Sequence, residues 1–445
     1  MKKILKLLGI FLLLVVVVII GFLILTKSSS PHKVTIGSQS IIYRSLNGNP
    51  SENLTKVIEL IGGIDKIIGE NDVVVIKPNV QWWNHGATNL SALKTLVDMI
   101  MKRPSGFSGE VVIAENCHRG SEPWTVEESG WIKIYERNSN IKGINNFNDL
   151  TNHLKKKYGE RYSTIHWIDV AYGEKRVFNP ADGTGYVYCD GTAGVPLLSM
   201  DNGKTGDDFR EVIMTYPIFK TDVGTIIDLK NGIWNEGVYT EQPLRFINFA
   251  TINHHSHYVG ATGAVKNYFG VVDISGGGWG KLADKFNNFH SFAYNEWDFG
   301  PVPGMMGAEV AMFMNTIRKS DLNIIAAEWV GLASRTEPPV AHTRTVLVSA
   351  DPVALDYHAT KYLLYPNSNI AIHNPDNKQS PLHHYLIKCA ENGGGVFDEK
   401  QVEVKSYNLR TKSFQSDDNL AVIGETTWGT HLKTLYKYLR FRINF

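Results

Sequence analysis

An apolar segment near the N-terminus constrains this chain more than any other feature of its sequence. The 19 residues from Leu7 to Leu25 contain no charged side chain and are rich in Leu, Val and Ile. A bilayer core requires about 20 apolar residues in helical conformation, so this segment is long enough to cross it. We therefore expect a single transmembrane anchor over residues 7–26.

Two other interpretations of this segment are less favoured. A cleaved signal peptide has a shorter apolar region of roughly 7–15 residues, followed by a small-residue cleavage site. The sequence Leu25-Thr26-Lys27 matches such a site poorly. A buried soluble helix carries a polar face, and this segment has none. An uncleaved anchor is the favoured interpretation, and a cleaved signal peptide is the alternative.

Lysine residues predict the orientation of this anchor. Three of them precede it within the basic stub of residues 1–6, and Lys27 alone follows it closely. Because positive residues stay on the cytoplasmic side, the stub is expected in the cytoplasm and the rest of the chain outside it, at the cell membrane. Residues 27–33 are expected to be a tether, and residues 34–445 one soluble domain.

Composition excludes several kinds of partner and cofactor. The 45 Lys and Arg residues nearly balance 44 Asp and Glu, so no net field attracts nucleic acid. The three cysteines, Cys117, Cys189 and Cys389, form no Cys-x-x-Cys pair, so no iron–sulfur cluster is expected. The glycine-rich run Ser275–Gly280 lacks the spacing of a phosphate-binding loop, and no nicotinamide cofactor is expected.

Apolar runs that alternate with helical segments predict an α/β fold. Asp72–Lys77 and Glu110–Glu115 are typical of buried parallel strands, and a helix is predicted between them over Leu90–Lys102. This order implies a right-handed crossover and a mostly parallel sheet flanked by helices.

The alternation fails over about residues 124–208, which we interpret as an irregular β-rich insertion. Elsewhere the patterning is regular. Before the insertion it predicts a strand at Lys33–Arg44 and a helix capped by Ser51 that ends near Ile61. After the insertion it predicts strands at Glu211–Tyr216, Thr225–Asp228, Arg245–Ile252, Asp321–Ala327 and Thr343–Ala350, and helices at Gly304–Arg318 and from Pro352.

The C-terminal segment, His431–Phe445, predicts an amphipathic helix. One stripe carries Leu432, Leu435, Tyr436 and Leu439, and the basic residues Lys433, Lys437, Arg440 and Arg442 lie elsewhere on it. Such a helix suits a membrane surface near the anchor. Docking on its own domain is the commoner arrangement for a terminal helix.

Polar residues follow the two predicted apolar strands. Lys77 and Asn79 flank Pro78 at the end of the first strand, and Glu115 ends the second. In open α/β sheets, ligands bind beyond the carboxyl ends of the strands, so these residues are candidates for a site. Strand ends are also polar simply because they meet water.

The segment at residues 253–267 contains several histidines that could act as catalytic groups or metal ligands. In an extended chain His255 and His257 point to one face, with His254 opposite. Two such imidazoles, completed by a carboxylate such as Glu115, can hold a divalent metal.

The same histidines also suit two roles that need no metal. They can act as general acid and base together with a carboxylate such as Asp356, or they can form a hydrogen-bonding turn. Lys266 and Asn267, just downstream, suit an anionic ligand.

Two aspartates open the helix predicted from Pro352. Asp351 as N-cap, with Pro352 in the first turn, is fully accounted for by a structural role. Asp356 lies one turn further in, where no cap is needed, so it joins the candidate catalytic residues.

Three segments together resemble the domain of unknown function 362 family. They are Val75–Val80 with its I-K-P-N motif, Ile247–Gly270 with T-G-A-x-K-N-x-x-G, and Ser349–Asp356 with S-x-D-P-V-A-x-D. The resemblance implies that seven residues converge in space: Lys77, Asn79, His255, Lys266, Asn267, Asp351 and Asp356.

This chain departs from that family's pattern at Asn253, where the family has a lysine before the histidine that matches His255. The family's acidic residue on the late strand matches Glu328. Many relatives carry a ferredoxin-like module, and this chain lacks its cysteines.

These observations favour a membrane-anchored enzyme that acts on an anionic small molecule. His255 and His257, with Asp356 or Glu115, would bind a metal or transfer protons, which makes a metal-assisted hydrolase or transferase the expected class. The alternative is a non-catalytic cell-surface protein that binds glycans or another small ligand. It rests on loop tryptophans that can stack on sugars, namely Trp82, Trp83, Trp124, Trp131 and Trp167.

Overall fold

The central sheet combines strands from both ends of the domain. The computed structural model describes residues 40–80, 86–115, 129–166, 176–201, 203, 205, 206, 209, 211–255, 259–273, 285, 286, 289, 304–335, 337–416 and 420–443. The strands of the main path are β1 (Ser40–Leu46), β2 (Val73–Pro78), β3 (Glu110–Glu115), β4 (Tyr162–His166), β12 (Leu244–Ala250), β16 (Leu322–Gly331), β17 (Val340–Ser349), β18 (Val402–Asn408) and β19 (Ser413–Phe414).

These strands lie in the order β19-β18-β1-β17-β16-β12-β2-β3-β4. Within the sheet only β17 and the edge strand β19 run antiparallel to their neighbours on this path; the pairs β18–β1, β16–β12, β12–β2, β2–β3 and β3–β4 are parallel. A short hairpin of β13 (Asn253–His254) and β14 (Ala261–Thr262) extends it beside β16. The predicted α/β fold with a mostly parallel sheet is confirmed.

Helices cover both faces of this sheet. The α-helices among the described residues are α1 (Pro50–Ile61), α2 (Leu90–Met101), α3 (Glu136–Ser139), α4 (Phe147–Tyr158), α5 (Ala264–Asn267), α6 (Met305–Thr316), α7 (Pro352–Ala359), α8 (Tyr365–Ser368), α9 (Pro381–Glu391) and α10 (Thr430–Ile443). Apolar residues of α1, α2 and α4 pack on one face, and those of α5, α6, α7 and α9 on the other.

Burial on both faces of the sheet explains why β2 is apolar from Val73 to Ile76. Val74 and Ile76 point to the face covered by α1 and α2, whereas Val73 and Val75 point to the face covered by α5 and α6. A strand buried on both faces cannot alternate apolar with polar residues. Lys77 continues the odd-numbered series and therefore faces α5.

Two smaller sheets lie outside the main one. The first is antiparallel, in the order β11-β10-β9-β8-β5, and consists of β5 (Gly185–Tyr188), β8 (Thr215–Lys220), β9 (Ile226–Asp228), β10 (Gly232–Asn235) and β11 (Val238–Tyr239). The second, in the order β15-β7-β6, consists of β6 (Ser199–Asp201), β7 (Glu211–Ile213) and β15 (Lys285–Phe286). Of the strands predicted at Glu211–Tyr216, Thr225–Asp228 and Arg245–Ile252, only the last enters the main sheet.

The cap of α1 differs from its prediction. Asn49, not Ser51, is the N-cap: its side chain accepts a hydrogen bond from the backbone N of Glu52 at 2.9 Å, and the Glu52 carboxylate accepts one from the N of Asn49 at 2.8 Å. Pro50 occupies the first turn, where its missing N–H has no consequence. The helix therefore starts before Ser51, at the residue after the asparagine.

The connections reverse direction between β2 and β12. From β2 the chain passes through α2 to β3 on one side, whereas from β12 it passes to β16 on the other side. In sheets of this kind the carboxyl ends of the two strands at the reversal form a crevice that is the usual ligand site. Lys77 ends one of these strands.

No helix of the described residues is both long and apolar enough to cross a membrane. The predicted anchor, residues 7–26, lies outside the described residues, and it stays a prediction.

Candidate functional site

Lys77 forms a buried ion pair at the carboxyl end of β2. Its Nζ donates to Oε2 of Glu115 at 2.6 Å, to Oδ1 of Asn267 at 2.9 Å and to the carbonyl of Pro78 at 3.0 Å. Both charged side chains are almost fully buried. Burial lowers the pKa of Lys77, and the Glu115 carboxylate opposes this effect. Three partners therefore satisfy all three ammonium protons.

Asparagine amides extend this pair across three strands. The Nδ2 of Asn267 donates to Oδ1 of Asn248 at 2.7 Å, and the Nδ2 of Asn248 donates to Oδ1 of Asn323 at 2.9 Å and to the carbonyl of Ala264 at 2.8 Å. Asn267 thus joins Lys77 to β12 and β16. We call Lys77, Glu115, Asn267, Asn248 and Asn323 the lysine–amide network.

Asn248 and Asn323 were not predicted from the sequence. Each is an amide inside an otherwise apolar strand, LRFINFA for β12 and LNIIAAEWVG for β16. A buried polar group in such a strand requires a partner, so the interruption itself was a usable signal.

Asp356 holds the start of α5. Its two carboxylate oxygens accept hydrogen bonds from the backbone N of Ala264 at 2.5 Å and of Val265 at 2.9 Å. Burial raises the pKa of Asp356 to about 7, although the two backbone hydrogen bonds lower it. A Cβ at Gly263 would lie 2.3 Å from Oδ1 of Asp356, so only glycine permits this approach. Asp356 thereby positions the helix that carries Lys266 and Asn267.

Asp351 has the structural role that its position predicted. Its Oδ1 accepts from the backbone N of Val353 and of Ala354, which caps α7. Its Oδ2 accepts from the hydroxyl of Ser40 at 2.6 Å and from the backbone N of Val396 at 2.8 Å. The carboxylate therefore joins the helix to both ends of the domain.

Gly270 lies against the ion pair. A Cβ there would be 2.6 Å from Oε1 of Glu115 and 2.9 Å from Nζ of Lys77. Such distances are shorter than van der Waals contact, so any other residue would displace one of the charges. Packing against the ion pair therefore explains the last glycine of the T-G-A-x-K-N-x-x-G motif.

Lys266 and Asn79 make contacts outside the lysine–amide network. The Nζ of Lys266 lies 3.3 Å from the ring centroid of Phe269, a cation–π contact. The backbone N of Asn79 donates to Oγ1 of Thr88 at 2.8 Å, and that hydroxyl donates to the carbonyl of Phe249 at 2.9 Å. Thr88 thus joins the ends of β2 and β12 at the reversal.

The described histidines of this segment contact residues outside the network as well. Nε2 of His255 lies 3.0 Å from Nη1 of Arg335, and the ring of His254 contacts His373. Because the guanidinium is a permanent donor, it uses the Nε2 lone pair of His255. His257 lies outside the described residues, as does Cys117.

Groups of three His, Cys, Asp or Glu side chains arranged to hold a metal ion are absent from the described part of the chain. Since His257 falls outside that part, the metal site of His255, His257 and Glu115 stays a prediction. Cys189 and Cys389 are buried free thiols.

Tryptophan 131 does not support sugar stacking. Its side chain is fully buried and packs on Phe147 and His166, with ring centroids 5.8 and 4.0 Å away. Trp82, Trp83, Trp124 and Trp167 lie outside the described residues.

A cleft of about 390 Å³ opens at the carboxyl edge of the sheet. It is lined by residues that follow β1, by Glu328 of β16 and by the pair Arg344–Glu425, among others. Oε1 of Glu328 lies 2.7 Å from Nε2 of His342, whereas its buried Oε2 has no hydrogen-bond partner among the described residues.

Comparison with known proteins gives one match. Residues 244–361 match the model of a family described as Domain of unknown function (DUF362). No curated protein and no solved structure matched the chain. The matched segment runs from the start of β12 to just beyond α7, so it includes Asn248, His255, Asn267 and Asp356 but not Lys77 or Glu115.

Proposed function

We propose that this chain, whose residues 244–361 match the model of the DUF362 family, is a membrane-anchored enzyme that acts on an anionic small molecule at the carboxyl edge of its sheet. The observation that carries the proposal is the buried ammonium of Lys77 at the reversal between β2 and β12. Membrane attachment rests on the uncharged segment Leu7–Leu25.

Lysine 77 supports this chemistry through its environment. An ammonium in a site of low dielectric stabilises developing negative charge more strongly than one in water. Glu115 and Asn267 hold its Nζ in one place, so the charge is already oriented before a substrate binds. Its three protons are already donated to Glu115, Asn267 and the Pro78 carbonyl, so in this proposal Lys77 acts through its fixed charge and not as a proton donor.

Lys266, Asn79, His255 and His257 complete the proposed site. Lys266 and Asn79 would bind the substrate anion, and the two histidines would transfer protons or hold a metal. Asp356 acts through the α5 backbone and is a positioning residue in this proposal. The cleft beside Glu328 opens along the same edge of the sheet.

Ligand binding by the purified full chain tests the proposal. Inorganic phosphate, pyrophosphate, citrate and a nucleotide serve as anionic probes, with glucose as an uncharged one, and binding is measured by calorimetry. We expect an anion to bind and the affinity to fall by roughly tenfold or more in Lys266→Ala and His255→Ala, since each removes one charged or hydrogen-bonding group.

Lys94→Ala is the matched control, because Lys94 makes an ordinary surface ion pair with Asp98 on α2. Circular dichroism establishes that each variant is folded. Equal affinity in wild type, Lys266→Ala and His255→Ala, or binding of none of the anions, would overturn the proposal.

A further inference from the structure

The C-terminal helix α10 leaves its apolar stripe uncovered. Leu432, Leu435, Tyr436 and Leu439 are exposed by 75%, 51%, 68% and 46%. These positions follow the spacing i, i+3, i+4 and i+7, so they form one continuous stripe along the helix. Four large exposed apolar side chains in one row are uncommon on a soluble surface and indicate an interaction site.

The helix docks on the domain through its opposite side. Thr430 and Thr434 are buried, and Tyr438 packs against the small cluster of Ala333, Ile370 and Ile372. Lys437 forms an ion pair with Glu337. The helix is therefore docked on its own domain and still presents its apolar stripe outward.

Two further exposed apolar residues precede the helix. Trp428 is 96% exposed and Ile423 72% exposed. Tryptophan is enriched where proteins meet the membrane interface, because its ring is apolar and its N–H is polar. The segment just before α10 therefore adds two large apolar side chains to the exposed surface of this part of the chain.

The charges carried by α10 itself have one sign. Lys433 and Arg440 are exposed, and residues 426–445 contain no aspartate or glutamate. A second copy packed on the same stripe through a twofold axis would bring like charges together. Anionic lipid headgroups, in contrast, attract such residues by about 1 kcal/mol each near the surface.

We propose that α10 is a second membrane contact, whose stripe of Leu432, Leu435, Tyr436 and Leu439 enters the headgroup region of a bilayer that contains anionic lipid. An amphipathic helix lies in the interface plane with its apolar face a few ångströms deep. This inference rests on the proposed membrane attachment only in that residues 7–26 would keep the domain near the bilayer. Two contacts restrict the orientation of the domain, whereas a single tether leaves it free to rotate.

Photo-crosslinking in the full chain tests this contact. The protein is reconstituted into phosphatidylcholine vesicles with and without phosphatidylglycerol, and p-benzoylphenylalanine replaces Tyr436 in one variant and Phe414 in another. Phe414 is the matched control, because it is 61% exposed but lies on the edge strand β19. Mass spectrometry identifies the adducts.

We expect roughly tenfold more lipid adduct at position 436 than at 414, and less in Lys433→Glu/Arg440→Glu than in the parent. Adducts at 436 to a second copy of the chain, or to residues 7–26, would overturn the proposal. Equal lipid adducts at both positions would overturn it as well.

Flotation of the vesicles separates this inference from the proposed anchor. If the chain floats but gives no lipid adduct at position 436, the anchor is supported and the α10 contact is overturned. If flotation requires an intact stripe and is abolished in Leu432→Asn/Leu435→Asn/Leu439→Asn, the α10 contact is supported and the anchor is contradicted. A chain that does not float at all loses both.

Discussion

His254 and His373 share a partly buried hydrogen bond, with Nδ1 of the first 2.8 Å from Nε2 of the second. Burial, reinforced by Arg335, lowers the pKa of His254 to about 3, and burial with the neighbouring His254 lowers the pKa of His373 well below its usual value. The hydroxyl of Ser368 contacts the other ring nitrogen of His373. The pair therefore holds two neutral imidazoles beneath α10, where Tyr438 covers His254.

This histidine pair predicts acid sensitivity. In the unfolded chain both rings take up protons near pH 6.5, whereas the folded chain resists protonation until about pH 3 at His254. Their contribution to stability is thus complete above about pH 6.5 and is lost as the pH falls towards 3. We expect the melting temperature of His373→Gln to fall less steeply between pH 7.5 and 4.5 than that of wild type.

Circular dichroism melts at several pH values measure this difference. His153→Gln is the control, since His153 is exposed on α4 and should leave the slope unchanged. Identical slopes for wild type and His373→Gln would mean that the pair does not resist protonation.

The Lys77–Glu115 pair predicts strong coupling in a double-mutant cycle. Lys77→Met leaves the Glu115 carboxylate buried without its cation, so we expect a loss of about 3–5 kcal/mol in the free energy of unfolding. The loss in Lys77→Met/Glu115→Gln should be smaller than the sum of the losses in the two single variants, because the double variant leaves no buried charge unpaired.

Urea unfolding measures the cycle, and the surface pair Lys94–Asp98 gives its control. Lys94→Met should cost less than about 1 kcal/mol, since both partners keep contact with water. Additive losses at Lys77 and Glu115 would show that the ion pair contributes no coupling.

A side chain at position 270 should destabilise the same ion pair by steric overlap. Gly270→Ala places a methyl group 2.6 Å from Oε1 of Glu115, and we expect a loss of about 1–3 kcal/mol in the free energy of unfolding from the overpacked site. Gly63→Ala is the comparison, because its Cβ meets nothing within 4 Å and only its positive φ is strained. A smaller loss at Gly270 than at Gly63 would contradict the packing argument.

The predicted metal site is tested by elemental analysis. If the two histidines hold a metal, the full chain, purified without a histidine tag, carries near-stoichiometric divalent metal that is lost in His255→Ala/His257→Ala, because both imidazoles are then ligands. A chain that stays free of metal after reconstitution with zinc, manganese, nickel and iron would leave the histidines with acid–base or structural roles.

Strands and helices that are specified by their own residues were predicted correctly from the sequence. The run Glu110–Glu115 forms β3 with the predicted bounds, since β-branched residues between polar ends specify a buried strand. The strand at Glu211–Tyr216 was assigned without its partner, because a short apolar run does not reveal which sheet it joins. It falls instead in the two smaller sheets, as β7 and the start of β8.

Only some of the contacts among the candidate residues could be predicted from the sequence. Lys77, Glu115 and Asn267 do meet, because the carboxyl ends of neighbouring parallel strands share one edge of a sheet. Arg335 as the partner of His255 could not be predicted, since the contact spans 80 positions and depends on how loops pack. The hydrogen bonds of Asp356 to the start of α5 were not predicted either, because a carboxylate that caps another helix has no local sequence pattern.

The position of β1 bears on the order in which this protein can be made. The first described strand lies between β17 and β18, two of the last. At typical synthesis rates of about 5–20 residues per second, roughly 20–70 s separate the emergence of residues 40–46 from that of residues 402–408. For most of that interval β1 has neither of its neighbours, because β17 emerges late and β18 at its end, so the nascent sheet cannot close from its N-terminal side. The chain therefore stays incompletely folded until it is nearly finished, and a truncation that removes β18 would leave β1 at an open edge of the sheet.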